Sequence, residues 1–189
     1  MATAAMRAGS RLTLEELHAL PEDGNRYELI DGELFVTPAP TLRHQDAAAS
    51  LYVLLRSFAR ASGCDAYLAP ADITFATHTL VQPDLFILPR REDGSRAGQF
   101  EDVGRLLLAV EVISPSSRRT DRNQKRRLYQ REGVPVYWIV DQEQRMVEVW
   151  GPDGEACRVE RESLELDLPG AAAPLVITLP GFFDSLLDT

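Results

Sequence analysis

Arg105-Leu106-Leu107-Leu108-Ala109-Val110-Glu111-Val112-Ile113 and, downstream of it, Val136-Tyr137-Trp138-Ile139-Val140 decide the fold class. Both runs are too uniformly apolar for a strand with one wet face, so each reads as a central strand buried on both sides. Between them, Ser114-Pro115-Ser116-Ser117 ends the first strand. A helix capped by Asp121 is expected to run to about Glu132 and to close at Gly133. Strand, helix and strand make a crossover, and strands joined in this way are parallel. The class is α/β.

Working outward, Arg145 to Trp150 predicts another strand, then a Pro152-Asp153-Gly154 turn, one more strand and a terminal helix from about Phe182. Upstream, Thr13-Leu14-Glu15-Glu16 has the pattern of a capping box opening a short helix, with Pro21 after its end. Tyr27-Glu28-Leu29-Ile30 and Glu33-Leu34-Phe35-Val36 flank Asp31-Gly32, the dipeptide of a tight hairpin whose central residues need positive φ. From about Thr41 to Ser62 the spacing of Ala48, Leu51, Tyr52, Leu55, Phe58 and Ala59 predicts a helix with one apolar stripe, stopped by Gly63 and packed lengthwise on a sheet. Strands are then expected at Ala66 to Ala69, at Asp72 to Ala76 and across Leu80 to Leu88, before a charged, proline-rich loop from Pro89 to Glu101.

With 189 residues, 44% of them hydrophobic, the chain is long enough to bury a core of its own. The expectation is a flexible lead-in over residues 1–10 and one domain over 11–189. Cys64 and Cys157 lack the companions that a disulfide framework or a zinc site would need, and read as inert thiols in a reducing cytoplasm. No run has the length of a signal peptide or a membrane span, which points to a cytoplasmic protein with no membrane partner.

The net charge of -9 argues against a polyanion partner when taken whole. Its distribution argues otherwise. Arg118, Arg119, Arg122, Lys125, Arg126, Arg127 and Arg131 face only Asp121 within their own stretch, which is either a positive patch for phosphates or the solvated side of a helix. Lys125 is the only lysine in the chain. Its ammonium is a compact point charge that can steady a water or a phosphoryl oxygen, where a guanidinium needs room for its planar fork.

A buried strand is a costly place for a charge, so Glu111 needs a metal, a basic side chain or a proton. Asp84 follows Pro83 in another strand. Were the two strands neighbours, both carboxylates could converge on one cation, and magnesium favours one or two carboxylates completed by waters and substrate phosphate. Two acids, a lysine and a basic helix match metal-assisted phosphodiester hydrolysis. Glu28 is either a third acid of this site or a cross-hairpin surface charge. His44, at the start of the long helix, either helps orient a substrate or, as the favoured reading, hydrogen-bonds locally; Tyr129, one turn after Lys125, either bonds a phosphate or Glu111 or, as the favoured reading, packs half-buried; Trp138 reads as core. No strand-to-helix serine elbow surrounds Ser114 or Ser116.

Tyr27 to Leu34, Arg43-His44-Gln45, Val81-Gln82-Pro83-Asp84, Val110 to Ser116, Asp121 with Lys125 and Tyr129, and Gly133-Val134 with Tyr137 to Asp141 together resemble the Uma-type restriction-endonuclease-like family of the PD-(D/E)XK nuclease superfamily. The resemblance spans nearly the whole chain. It implies a restriction-endonuclease-like core, with a mixed central β-sheet flanked by α-helices and an N-terminal β-hairpin. It also implies a Mg²⁺ site, with Mn²⁺ able to substitute, built from Asp84 and Glu111 with the Val112 carbonyl as a further ligand; Glu28 stays the candidate third acid from the reading of the residues. One position departs from the superfamily pattern, which places a lysine where this chain has Ile113. Lys125 is then expected to reach back from the following helix as the third catalytic residue beside Asp84 and Glu111. Arg118, Arg119, Arg122 and Arg126 are the expected contacts to DNA. The reading is a metal-dependent DNA endonuclease, with a homodimer left open. Two alternatives are kept, a catalytically inactive nucleic-acid-binding or interaction module of the same fold, and hydrolysis of another phosphate ester.

Overall fold

The computed structural model describes residues 11–91, 93–95, 105–154 and 156–186. The lead-in at 1–10 and most of the loop after Pro89 lie outside them. Helix α1 (Leu14–His18) opens as expected, with the Thr13 hydroxyl accepting from the Glu16 amide while the Glu16 carboxylate takes the Thr13 amide. Strands β1 (Arg26–Ile30) and β2 (Glu33–Thr37) form the hairpin. Asp31 and Gly32 both have positive φ, 52° and 85°. A Cβ at Gly32 would also run into Arg11, so glycine is needed there on two counts.

Helix α2 (Leu42–Ala61) is capped by the Thr41 hydroxyl and ended by Gly63 at φ 73°. Its stripe Ala47, Ala48, Leu51, Leu55 and Ala59 is buried against the sheet. Cutting Leu51 or Leu55 back to alanine would cost about 2–5 kcal/mol. Strands β3 (Cys64–Leu68), β4 (Ile73–Ala76), β5 (Thr79–Val81), β6 (Leu85–Pro89), β7 (Leu108–Val112), β8 (Val136–Asp141), β9 (Met146–Trp150), β10 (Arg158–Glu160), β11 (Ser163–Leu166) and β12 (Leu175–Thr178) follow, and α5 (Leu179–Asp184) closes the described chain.

The central sheet has the order β10-β9-β8-β7-β6-β3. Strands β7 and β8 are parallel and their neighbours antiparallel, so the sheet is mixed. One face carries Val110, Val112, Trp138 and Val140 against α2 and α5. The other carries Ala109, Ile113, Tyr137 and Ile139 against the crossover helix and the second sheet, β2-β1-β5-β4.

Two expectations are corrected. Leu80 to Leu88 is not one strand: β5 belongs to the hairpin sheet and β6 to the central one. Pro83, which has no N–H to give a ladder, stands at the break. Nor does Asp121 cap the crossover helix. That helix starts at α3 (Arg118–Thr120), passes through a π-helical turn at Asp121–Lys125 and continues as α4 (Arg126–Arg131), with Gly133 at φ 68° beyond its end. The Tyr137 hydroxyl, from β8, donates to the Asp121 carbonyl at 3.1 Å, inside the widened turn.

Candidate active site

Asp84 and Glu111 come together because β6 and β7 are neighbours. Leu85 pairs with Val110, so one step further Asp84 stands across from Glu111. The Val112 amide donates to Asp84 Oδ2 at 2.9 Å. Glu111 has the parity of Ala109 and Ile113, which turns it toward the crossover helix. There, Lys125 Nζ donates to Glu111 Oε1 at 3.0 Å and lies 2.9 Å from Glu28 Oε1 and 3.7 Å from Asp121 Oδ1. The Tyr129 hydroxyl donates to the same Glu111 oxygen at 3.1 Å. Glu28 also accepts from the Gln82 amide at 2.7 Å, so it is buried in this cluster and is not a surface charge of the hairpin.

Lys125 is 3% exposed. Burial alone would lower its proton affinity, but Glu111, Glu28 and Asp121 outweigh that and raise it, so the lysine is a permanent cation. Four buried carboxylates, Glu28, Asp84, Glu111 and Asp121, share this lysine and Arg26. The excess of negative charge shows in the acids. Burial lifts Glu111 well above the usual carboxylate range against the pull of Lys125, and lifts Asp121 to about 6. Asp84 goes the other way. Despite burial it is held at about 2, by a hydrogen bond and charge attraction from His44 and by the charges of Arg26 and Lys125.

Two of these partners were not expected here. Arg26 Nη1 donates to Asp84 Oδ1 at 2.8 Å, and His44 Nε2 lies 3.0 Å from Asp84 Oδ2. The His44 imidazole thus meets Asp84 of the cluster, while its amide takes the local cap from Thr41. Tyr129 is fully buried rather than half-buried. The signal available beforehand was position: Arg26 lies two residues before Glu28, on the same side of β1, and His44 is in the first turn of α2.

The donors suit magnesium in kind and in charge: they are hard carboxylate oxygens in a cluster short of positive charge, and a second carboxylate is all that such an ion requires of a protein. A ready-made cage is a different matter. Among the described residues, no three histidine, cysteine or carboxylate side chains are arranged as one. Arg26, His44 and the Val112 amide engage Asp84, so a cation would take over part of their role.

The basic helix is mostly engaged within the protein. Arg122 reaches Glu148 at 2.6 Å and Asp141 at 3.1 Å, and Arg118 reaches Glu143 at 2.7 Å. Arg126 bonds Gln130 and lies over the Trp150 ring, while Arg131 grips Asp31 through both nitrogens. Arg119 and Arg127 are exposed and make no ion pair among the described residues.

No helix among the described residues is long and apolar enough to cross a membrane. No curated protein matches the sequence. Among solved structures, the chain is similar to "a putative nuclease belonging to DUF820" from Anabaena variabilis ATCC 29413, with a TM-score of 0.74 and 24% identity over 92% of this chain and 98% of that one. That likeness speaks to the fold, a mixed sheet with flanking helices. Residues 14–183 match the Uma2 family, described as "putative restriction endonuclease". A match over nearly the whole described chain settles membership, and the protein belongs to the Uma2 family of restriction-endonuclease-like proteins.

Proposed function

We propose that the protein is a metal-dependent DNA endonuclease in which Asp84 and Glu111, with Glu28 as third acid and the Val112 carbonyl as a further ligand, hold one Mg²⁺. The observation that supports this most is the convergence of Glu28, Asp84, Glu111 and Lys125, from four separate segments, on one buried point with too few cations. A magnesium ion held there would polarise the scissile phosphate and acidify an attacking water. Lys125 supplies a fixed positive charge beside the reacting phosphate and not a proton relay, because its carboxylate neighbours keep it protonated. Tyr129 orients Glu111 by its hydrogen bond. His44 and Arg26 keep Asp84 ionised across the working pH range.

DNA contact by Arg118, Arg119, Arg122 and Arg126 remains the reading for the basic helix, with Arg119 the member least engaged elsewhere, and exposed Arg127 beside it. A homodimer would present two such sites to the two strands of a duplex. The test is incubation of the purified protein with supercoiled, linear and single-stranded DNA in Mg²⁺, Mn²⁺ or EDTA; cutting in either metal and none in EDTA is expected. One observation favours the inactive-module reading: Lys125 is already bound to Glu28 and Glu111. DNA binding without cleavage in either metal would select it.

A further inference from the structure

Among the described residues, three buried polar atoms in this cluster have no hydrogen-bond partner: Arg26 Nε, His44 Nδ1 and Asp121 Oδ1. A buried polar atom that has lost its hydration without gaining a partner is costly, so such atoms are places where a ligand can supply what is missing. Arg26 is the one built for an anion. Its Nη1 is fixed on Asp84 at 2.8 Å, its side chain is 18% exposed, and its Nε is buried without an acceptor. The guanidinium is thus anchored by one nitrogen and presents the rest of a planar fork. Arg26 is also set on β1 two residues from Glu28, so the same strand places a carboxylate and a cation on one side of the site.

We infer that Arg26 is the phosphate seat of the site, its partly exposed side chain offering the guanidinium face not held by Asp84 to a non-bridging oxygen of a phosphodiester while Nη1 keeps Asp84 oriented. The inference rests on the endonuclease reading for its substrate class, but the seat concerns binding and not cleavage. Its action depends on a cation. Without one the cluster carries excess negative charge that repels a phosphate; with one on Asp84 and Glu111 that charge is offset, and Arg26 is released in part from Asp84. Cation and phosphodiester should therefore strengthen each other's binding, with Arg26 carrying the coupling. A lysine cannot replace it, because one ammonium does not span Asp84 and a phosphate oxygen as the fork does.

The experiment measures the affinity of a fluorescent duplex oligonucleotide in EDTA and in Ca²⁺, with the duplex checked for intactness on a gel, alongside calorimetry of Ca²⁺ alone. The parent should gain at least tenfold in duplex affinity on adding Ca²⁺. Arg26→Lys and Arg26→Ala should bind Ca²⁺ within about threefold of the parent or more tightly, yet lose most of that gain, while Arg56→Ala, exposed on α2 at the opposite face of the sheet, keeps it. Melting curves identify a variant that fails to fold, and the lysine variant then carries the test. The inference is overturned if both variants keep the full gain, if both lose Ca²⁺ binding and so show Arg26 to be a prop for Asp84, or if the parent has no cation-dependent gain. A parent that cuts no DNA while the variants lose the gain would sink the endonuclease reading and leave the seat standing. A cutting parent with the gain intact in both variants would do the reverse.

Discussion

Later in the crossover helix, Lys125 alone faces Glu28, Glu111 and Asp121, whereas at its start Arg118 and Arg122 face Glu143, Asp141 and Glu148 across the same side of the sheet. In the second group every acid has a guanidinium within hydrogen-bond reach, and both arginines keep one side toward water. In the first the lysine is shared and buried and the acids outnumber the cations, while each group holds a buried polar atom with no partner among the described residues, Asp121 Oδ1 in the first and Arg118 Nε in the second. A network with a guanidinium for every acid fixes a helix on a sheet. One short of cations stores a demand for charge, which a ligand can meet.

Removing Lys125 should separate the two groups most sharply. Lys125→Ala is expected to lower cleavage by a factor of about 1,000 or more, of the order lost with a transition-state charge donor. It should also cost about 3–5 kcal/mol of stability at neutral pH, as expected for a buried pair broken on one side. Lys125→Arg should be poor as well, since the larger planar fork does not fit the ammonium's place. Single-turnover rates with urea melts check both, and a fully active arginine variant would reduce Lys125 to structural charge.

Stability against pH sharpens the contrast within the acidic group. Asp84 is held at about 2, below its usual value, so its ionised form stabilises the fold above pH 4 and that contribution fades as pH falls through 2. Asp84→Asn should lose about 2 kcal/mol at pH 7. Asp121 sits at about 6, above its usual value, so the parent loses stability as pH rises from 4 to 6. Asp121→Asn should match the parent at pH 3.5 and exceed it by about 3 kcal/mol at pH 8. Denaturant melts at four pH values decide this; equal slopes for both variants would break the distinction.

In the second group, Arg122→Ala should cost about 2 kcal/mol, because it takes the nearer guanidinium from Asp141, leaving Arg118 at 3.9 Å, and leaves Glu148 with the Trp150 indole N–H, while single-turnover cleavage at saturating DNA stays within a few-fold of the parent. A loss of turnover as deep as that of Lys125→Ala would merge the two groups into one site. The smallest effect belongs to exposed charge: Arg119→Ala and Arg127→Ala should each reduce the slope of log affinity for DNA against log salt by about 1, with no change in melting. Anisotropy titrations at several salt concentrations read this directly.

Much of the frame was legible because local chemistry forces it. Asp31-Gly32 can hardly be anything but a tight turn, and the apolar runs at β7 and β8 leave no wet face. Glu111 and Asp84 stood out as charges within such runs. What stayed hidden depends on contacts between segments far apart in sequence. Arg26 and His44 are ordinary residues at the starts of their elements, and only the meeting of β1, α2 and β6 gives them Asp84. The seven bases of the helix looked like a free patch because Asp141 and Glu148 come from β8 and β9. Nothing in Asp121 to Lys125 announces a π-helical turn, whose hydrogen-bond partner Tyr137 lies on another strand.

That turn divides the helix into two phases. A regular α-helix advances about 100° per residue, so a turn widened by one residue re-aims everything after it by that angle. Arg118 and Arg122 lie on one side of the change of phase, Lys125 and Tyr129 at or beyond it. Chain length is therefore itself a determinant of the site. Deleting exposed Asn123 would let this turn close to an ordinary α-turn and leave Lys125 and Tyr129 facing Glu111, whereas a deletion in the regular helix after it, before Tyr129, would swing Tyr129 away by about 100°. In a chain whose one lysine lies on the helix and not on the strand, a search for an acid followed two residues later by lysine would pass over this cluster.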